Sequence, residues 1–405
     1  MDITKTLFYG WIIVIAGFLI NMAWGIEYTY GVFFKPMAYE FGWSRTATSF
    51  AYSIFTVVSS VSTVFMGGMT DKYGPRLTIV SGSLLCGLGM VLSYWVNSLW
   101  HLYLVFGFVV GFGISSFYIA SVSTTTRWFE GKRGLALGIV ASGVGVGGSM
   151  FPPLIGYIIS IYGWRMAFAV FGLIILVLTV PTGFMMKHNP KEMGLRAYGE
   201  RSATMSKPSQ NGWTVAGALK TSQFWILYLI HICACVVLTL IFVHFVPLLT
   251  DIGFSMTIAA SAFGLVGGCS IIGRVGMGSV SDRIGRKYTL IICFVIQAVV
   301  ILCLMGVRNT WMVYAFAVLF GISYGGWVPQ FPAIIEEFFG ARSLSTILAL
   351  ILTGYGVGGI IGPTIGGYSF DVSGSYFLAF SIGVVSCILA VVLGFLTRPP
   401  QLKTP

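Results

Sequence analysis

Residues 269–287 read CSIIGRVGMGSVSDRIGRK. The stretch places one arginine, Arg274, inside an apolar segment and follows it with a glycine-spaced charged turn. From 258 to 280 its neighbours are small or apolar, so the guanidinium lies several helical turns from bulk water unless it faces a cavity. A charge at such depth costs about 2.5–3.5 kcal/mol on insertion scales and marks a substrate path or a buried pair. No Asp or Glu stands within two turns of it, which leaves a transient anion as the simplest partner.

Composition extends this reading to the whole chain. Of 405 residues, 57% are hydrophobic and only 9% charged, far below the roughly 25% charged content of soluble domains, and the mean hydropathy is +0.90. Apolar runs of about 20 residues fall at 9–33, 47–69, 77–96, 100–124, 134–159, 166–186, 224–249, 258–280, 288–306, 311–335, 343–368 and 376–397. The expected fold is therefore an all-α polytopic membrane protein with twelve transmembrane helices. An even number puts both termini on one side. Assigning them and every second loop to the cytoplasm collects 18 of the 23 Lys and Arg there, leaving Lys35, Arg45, Arg165 and Arg308 outside and Arg274 within. The positive-inside rule then places both termini in the cytoplasm, and a plasma (inner) membrane location is expected. The net charge of +11 is chiefly this topology signal. No basic patch interleaved with exposed aromatics points to nucleic acid, and the first apolar run is too long for a cleaved signal peptide.

The charged turn occurs twice. GGMTDKYGPR at 67–76 and GSVSDRIGRK at 278–287 both read G-x-x-x-D-[KR]-x-G-x-[KR], and Asp282 follows Asp71 by 211 residues. At the same offset Gly143, Gly145, Gly147, Gly148, Pro152, Gly156 and Tyr157 reappear as Gly354, Gly356, Gly358, Gly359, Pro363, Gly367 and Tyr368. Such an internal repeat divides the spans into two pseudo-symmetric six-helix halves, 1–186 and 224–405, joined by a polar cytoplasmic linker at 187–223 with a short interfacial helix expected around Trp213 to Lys220. The glycines also match G-x-G-x-x-G. That fingerprint binds dinucleotides only between a strand and a helix, whereas these lie within long apolar helices, where close helix packing is the reading.

Several side chains carry two readings each. Glu27 in the first span is either a proton-coupling carboxyl facing a cavity or a hydrated group near the outer interface. His244 is a proton carrier or an interfacial residue. Tyr28, Tyr118, Tyr324, Trp327, Gln330 and Tyr355 combine polar tips with bulky bodies, as a small-anion pocket needs, yet each also suits packing or an aromatic belt. His231 and Cys235 share a helix face beside Cys233, but two ligands make a poor metal site, and buried thiols pack as small hydrophobes. No metal, cofactor, nucleophile triad or phosphate loop is expected, so the chain does not read as an enzyme.

The doubled turn in a 6+6 chain resembles the major facilitator superfamily over nearly its whole length. YGW at 9–11, GVFF at 31–34, EFGWSR at 40–45 and RWFEGKRGLALGIVASGVGVGG at 127–148 resemble the branch of monocarboxylate transporters and oxalate/formate exchangers. In that branch an arginine of the eighth span binds substrate carboxylate, and the resemblance assigns that role to Arg274. Two departures bear on the substrate. Animal monocarboxylate transporters tend to carry an acid one turn before the arginine and a lysine in the first span, where this chain has Ser270 and, nearby, Tyr28. Oxalate exchangers resemble one another in a second intramembrane cation in the eleventh span, where this chain has TGYGVGG with Tyr355.

One fixed cation suits one carboxylate, because a dianion would bring an uncompensated charge into a poorly screened cavity. The expectation is proton-coupled symport of a monocarboxylate of the lactate or pyruvate type, with anion exchange of the oxalate/formate type as the alternative. A carboxylate receptor without flux is the alternative of another class, which the lack of any appended soluble domain disfavours. A functional monomer in the lipid bilayer is expected, with two halves rocking about a midplane site. Asp71 with Arg76, and Asp282 with Arg283 or Arg286, are expected as cytoplasmic gate contacts, against a reading as topology-setting loop charges.

Overall fold

The computed structural model describes residues 8–130, 132–199, 212–340 and 342–400. The first residues, MDITK, and the middle of the expected linker, 200–211, lie outside the described residues. Among the described residues, eleven helices are long and apolar enough to cross a membrane. One of them, Arg133–Met185, has 53 residues and as a straight helix would run about 80 Å, more than twice a hydrocarbon core. It breaks at Gly163, whose φ of 80° and ψ of 167° are not helical. The break restores twelve spans.

The helices are α1 (Tyr9–Phe41), α2 (Arg45–Tyr73), α3 (Pro75–Trp95), α4 (Leu99–Trp128), α5 (133–162), α6 (164–185), α7 (Ser222–Asp251), α8 (Met256–Ile284), α9 (Arg286–Met305), α10 (Thr310–Phe339), α11 (Thr346–Ser373) and α12 (Phe377–Leu396). They form two compact units. The first is Met1–Trp43 with Phe50–Ala203, and the second is Ser44–Ser49 with Thr204–Pro405. The opening turn of α2 thus belongs to the second unit.

Within each unit the same helices pair, through glycines. In the first, a Cβ on Gly147 of α5 would collide with the Met22 carbonyl oxygen of α1, and one on Gly143 with the Phe18 carbonyl oxygen. In the second, a Cβ on Gly358 of α11 would lie 2.7 Å from the backbone of Cys235 in α7, and one on Gly362 would meet Thr239. Gly111 of α4 lies against the backbone of Phe55 in α2, as Gly321 of α10 lies against that of Val266 in α8. Removing side chains lets helix axes approach where no apolar driving force separates lipid from protein contact. Of the two G-x-G-x-x-G stretches, Gly143 and Gly148 lie against α1 and Gly354 against α7 in this packing.

The doubled charged turn is reproduced in backbone geometry. Gly74 has φ 86° and ψ 162°, and Gly285 has φ 90° and ψ 151°. L-residues rarely adopt that region, so glycine at the eighth position of the motif lets α2 end and α3 begin without a loop, and likewise α8 and α9.

Both described ends of the linker are fastened, each within its own unit. The Tyr198 amide donates to the Trp128 carbonyl at 2.9 Å and the Tyr198 carbonyl accepts from Glu130 N at 3.0 Å, while its ring packs on Phe8, Trp11 and Phe129. Trp213 N donates to the Phe339 carbonyl at 2.8 Å, and Gly212 pairs with Gly340. Phe129 and Gly340 stand 211 residues apart, so the linker clips to equivalent turns. A helical turn at Val215–Leu219, capped by the Thr214 hydroxyl, lies within the helix expected there.

Candidate functional site

Arg274 lies 10 residues before Ile284, the last residue of α8, hence about 15 Å from that end at 1.5 Å per residue. It is half-buried. The preceding residue, Gly273, is pressed against α10, where a Cβ would collide with the Ile322 carbonyl and lie 3.0 Å from Gly326 N. Close contact between α8 and α10 therefore fixes the helix face from which the guanidinium projects.

Three spans that carry expected site residues are irregular at those residues. In α1 a 3₁₀ segment at Trp24–Tyr28 contains Glu27 and Tyr28. In α10 the helix breaks at Val328 and Pro329 and resumes at Gln330, as proline supplies no amide hydrogen. In α11 it breaks at Thr353, two residues before Tyr355. Irregular backbone is tolerated at membrane depth where protein covers it or a cavity solvates it, and interrupted helices commonly line transporter sites.

In the first unit, Glu27 and Tyr28 are buried. The Tyr28 ring fills the space over Gly148, where a Cβ would come within 3.0 Å of it. Tyr118 of α4 is 41% exposed and meets the Trp24 ring edge-on at 5.7 Å, so it adjoins the 3₁₀ segment. Glu27 is thus covered by protein in this fold.

In the second unit, α10 brings Tyr324, Trp327 and Gln330 onto neighbouring turns. The rings of Tyr324 and Trp327 are 5.9 Å apart, and Trp327 also meets Phe331, Phe294 and His231. Gly354, next to Tyr355, lies against the His231 ring, which joins α11 to the same group. His231 is the member that sequence reading left as packing. Its ring nitrogens both lie 3.7 Å from the Cys235 thiol, and among the described residues no three ligating side chains converge on a metal position.

His244 stands apart from this group. It is fully buried, with Nε2 at 2.9 Å from the Pro363 carbonyl and 3.2 Å from the Ser49 hydroxyl, and its ring occupies the space over Gly366. The interfacial-hydration reading does not hold; the imidazole joins α7 to α11. Beside it, Arg45 pairs with Asp251 and Tyr376 and lies 3.4 Å from the centre of the Phe370 ring. Asp371 accepts from Arg45 N and Thr46 N, each at 2.8 Å, neutralising the orphan amides and positive dipole end of α2.

The charged turns depart from the expected pairing. Asp71 binds Arg127 of α4, while Arg76 lies 4.6 Å from the centre of the Phe184 ring. Arg76 belongs to the helix started by Pro75 and so turns away from the end of α2. Arg127 also reaches His188 at 3.0 Å. In the second unit Arg286 Nε lies 3.9 Å from Glu337, Asp282 and Arg283 are exposed, and Lys287 caps the carbonyls of Phe395 and Thr397 at the end of α12.

The model of the Major Facilitator Superfamily matches residues 13–279 and 269–405. Among curated proteins the chain is 25% identical to monocarboxylate transporter 12 of Rattus norvegicus, covering 98% of this chain and 87% of that protein. It is 29% identical to the oxalate:formate antiporter of Oxalobacter formigenes, covering 87% and 84%. Its fold is similar to that of a bacterial homolog of the human lysosomal transporter Spinster, solved inward-facing and unoccupied, with a TM-score of 0.76, 16% identity and 96% of each chain covered.

Proposed function

Because the chain belongs to the Major Facilitator Superfamily, we propose that this membrane transporter carries small monocarboxylates, of the lactate or pyruvate type, together with a proton by alternating access. The observation that carries the reading is Arg274, a half-buried cation about 15 Å inside α8 beside a break in α10. A guanidinium binds a carboxylate through two parallel hydrogen bonds. Among the described residues of α7 to α12, other ionised side chains lie toward the helix ends, as Asp251, Arg286, Glu337 and Asp371 do. One interior cation favours a monoanion over oxalate. The names of the similar proteins, a monocarboxylate transporter and an oxalate:formate antiporter, agree on a small carboxylate.

Glu27 is the proposed proton carrier, being a buried carboxyl in an irregular segment of α1. A plasma-membrane monomer with both termini in the cytoplasm is part of the same proposal, its orientation resting on the Lys and Arg distribution. Exchange is the second reading, favoured if Arg274 reorients only when loaded.

The test is uptake of labelled L-lactate into proteoliposomes under an inward proton gradient. Arg274→Ala is expected to reduce uptake by about tenfold to a hundredfold, the worth of hydrogen bonds to a charged group, with oxalate a poor competitor. Uptake that ignores the gradient and requires internal anion establishes exchange instead. Lactate flux untouched by Arg274→Ala overturns the site.

A further inference from the structure

Arg165, in the first turn of α6, pairs with Glu40 in the last turn of α1, and the Trp164 indole N–H donates to the other carboxylate oxygen at 2.6 Å. Both charged side chains stay partly open, 34% for Arg165 and 42% for Glu40. With Tyr94 from the end of α3, and with Tyr162, Trp164 and Met166 around the α5–α6 break, they line a cavity of about 230 Å³. Because α1 and α3 both end here, the cavity lies at the membrane face opposite the start of α1.

A second groove of about 380 Å³ continues along the same helix, lined by the aliphatic side chains of Val170, Leu173, Ile174, Val177 and Leu178. Together with Met166 these positions recur at three- and four-residue spacing and form one stripe of α6. The stripe runs about 18 Å at 1.5 Å per residue, against about 15 Å for half of a hydrocarbon core. A charged cavity at headgroup depth thus leads into an apolar groove one leaflet deep.

The charges specify the occupant. A guanidinium has five N–H donors, and among the described residues Arg165 uses one of its own on Glu40, which leaves donors for a phosphate. Each Glu40 oxygen accepts one hydrogen bond and has a lone pair left for a cation that can donate hydrogen. The rings of Tyr94 and Tyr162 offer faces to the same cation. An anionic headgroup brings nothing for Glu40, and a trimethylammonium has no N–H.

We propose that the first unit holds a phosphatidylethanolamine molecule, with its phosphate on Arg165, its primary ammonium on Glu40 and an acyl chain in the α6 groove. The site is independent of the Arg274 reading.

The experiment reconstitutes the full chain in phosphatidylcholine vesicles containing a trace of phospholipid with a photoreactive acyl chain and an ethanolamine, choline or glycerol headgroup, and maps the labelled peptides. In wild type the ethanolamine lipid is expected to label residues 166–178 about tenfold more than either other lipid, the worth of a hydrogen bond to a charged group. Glu40→Gln breaks only a partly exposed pair, which contributes little to folding, and should bring the ethanolamine and choline lipids to parity. Val177→Trp, at a position 74% exposed, fills the groove and should cut labelling by the ethanolamine lipid to the level of the others. Equal labelling by all three lipids in wild type shows ordinary solvation by the bilayer and overturns the proposal without any variant. Stronger labelling by the glycerol lipid also overturns it, as does an ethanolamine preference that survives Glu40→Gln.

Discussion

Arg45, at the first turn of α2, forks onto the carboxylate of Asp251, at the last residue of α7, with side chains only 15% and 18% exposed. Tyr376, Phe370 and Asp371 close around the same guanidinium and helix end. A largely buried pair is costly to break singly because the remaining charge is stranded. Arg45→Ala and Asp251→Ala are each expected to destabilise the protein by about 2 kcal/mol, at the lower end for partly buried pairs. The double substitution should cost less than the sum, measured as thermal unfolding in detergent by a double-mutant cycle. Additive losses would show that the pair is incidental.

His188 receives a hydrogen bond from Arg127, which requires an unprotonated ring nitrogen. Burial, and after it the Arg127 charge, lowers its pKa, against opposing pulls from Glu192 and Asp71. The folded state therefore binds fewer protons at this site than the unfolded chain, and its contribution to stability falls as pH drops below the ordinary imidazole value of about 6.5. It should be fully present at pH 7 and above. Histidine NMR titration should place His188 below the free imidazole. His188→Gln, which retains an acceptor, should flatten the acid-side loss of stability, and an unchanged pH profile would count against this account.

Of the two residues proposed for proton coupling, His244 is committed to the Pro363 carbonyl and Ser49, while Glu27 lies in a 3₁₀ segment of α1. Glu27→Gln is expected to retain counterflow of labelled lactate but lose stimulation by a proton gradient. His244→Gln should keep gradient-driven uptake and lower thermal stability. Reversal of the two phenotypes would move the proton to α7.

Gly285 occupies a backbone region closed to side chains, yet nothing stands within 4 Å of where its Cβ would be. Gly285→Ala thus probes conformation without steric overlap. It should destabilise by about 1–3 kcal/mol, whereas Gly276→Ala, in the helix with equally open surroundings, should be neutral or slightly stabilising. Equal unfolding temperatures for both variants would refute the strained-turn account.

The twelve spans and the duplication were legible because lipid imposes a length on every apolar run and because Asp71 and Asp282 bracket a fixed offset. Arg274 stood out since a charge among apolar neighbours needs no partner to be noticed. Long-range pairings were not legible. Asp71 meets Arg127 across 56 residues, and no local spacing distinguishes Arg127 from Arg76. Burial of Glu27 and His244 depends on which helix face each presents, which apolar spans with little amphipathic contrast do not declare. His231 reads as simple packing for the same reason, as its ring neighbours Trp327 and Phe331 come from α10.

The duplicated helix packing gives this protein its own experimental control. Gly147 and Gly358 occupy equivalent positions, each pressed onto the backbone of the first helix of its half, but only the second shares a unit with Arg274. Alanine at either site imposes the same kind of steric insult. A difference in transport between the matched variants, once equal expression is established, therefore isolates what one copy of the ancestral six-helix unit acquired and the other did not.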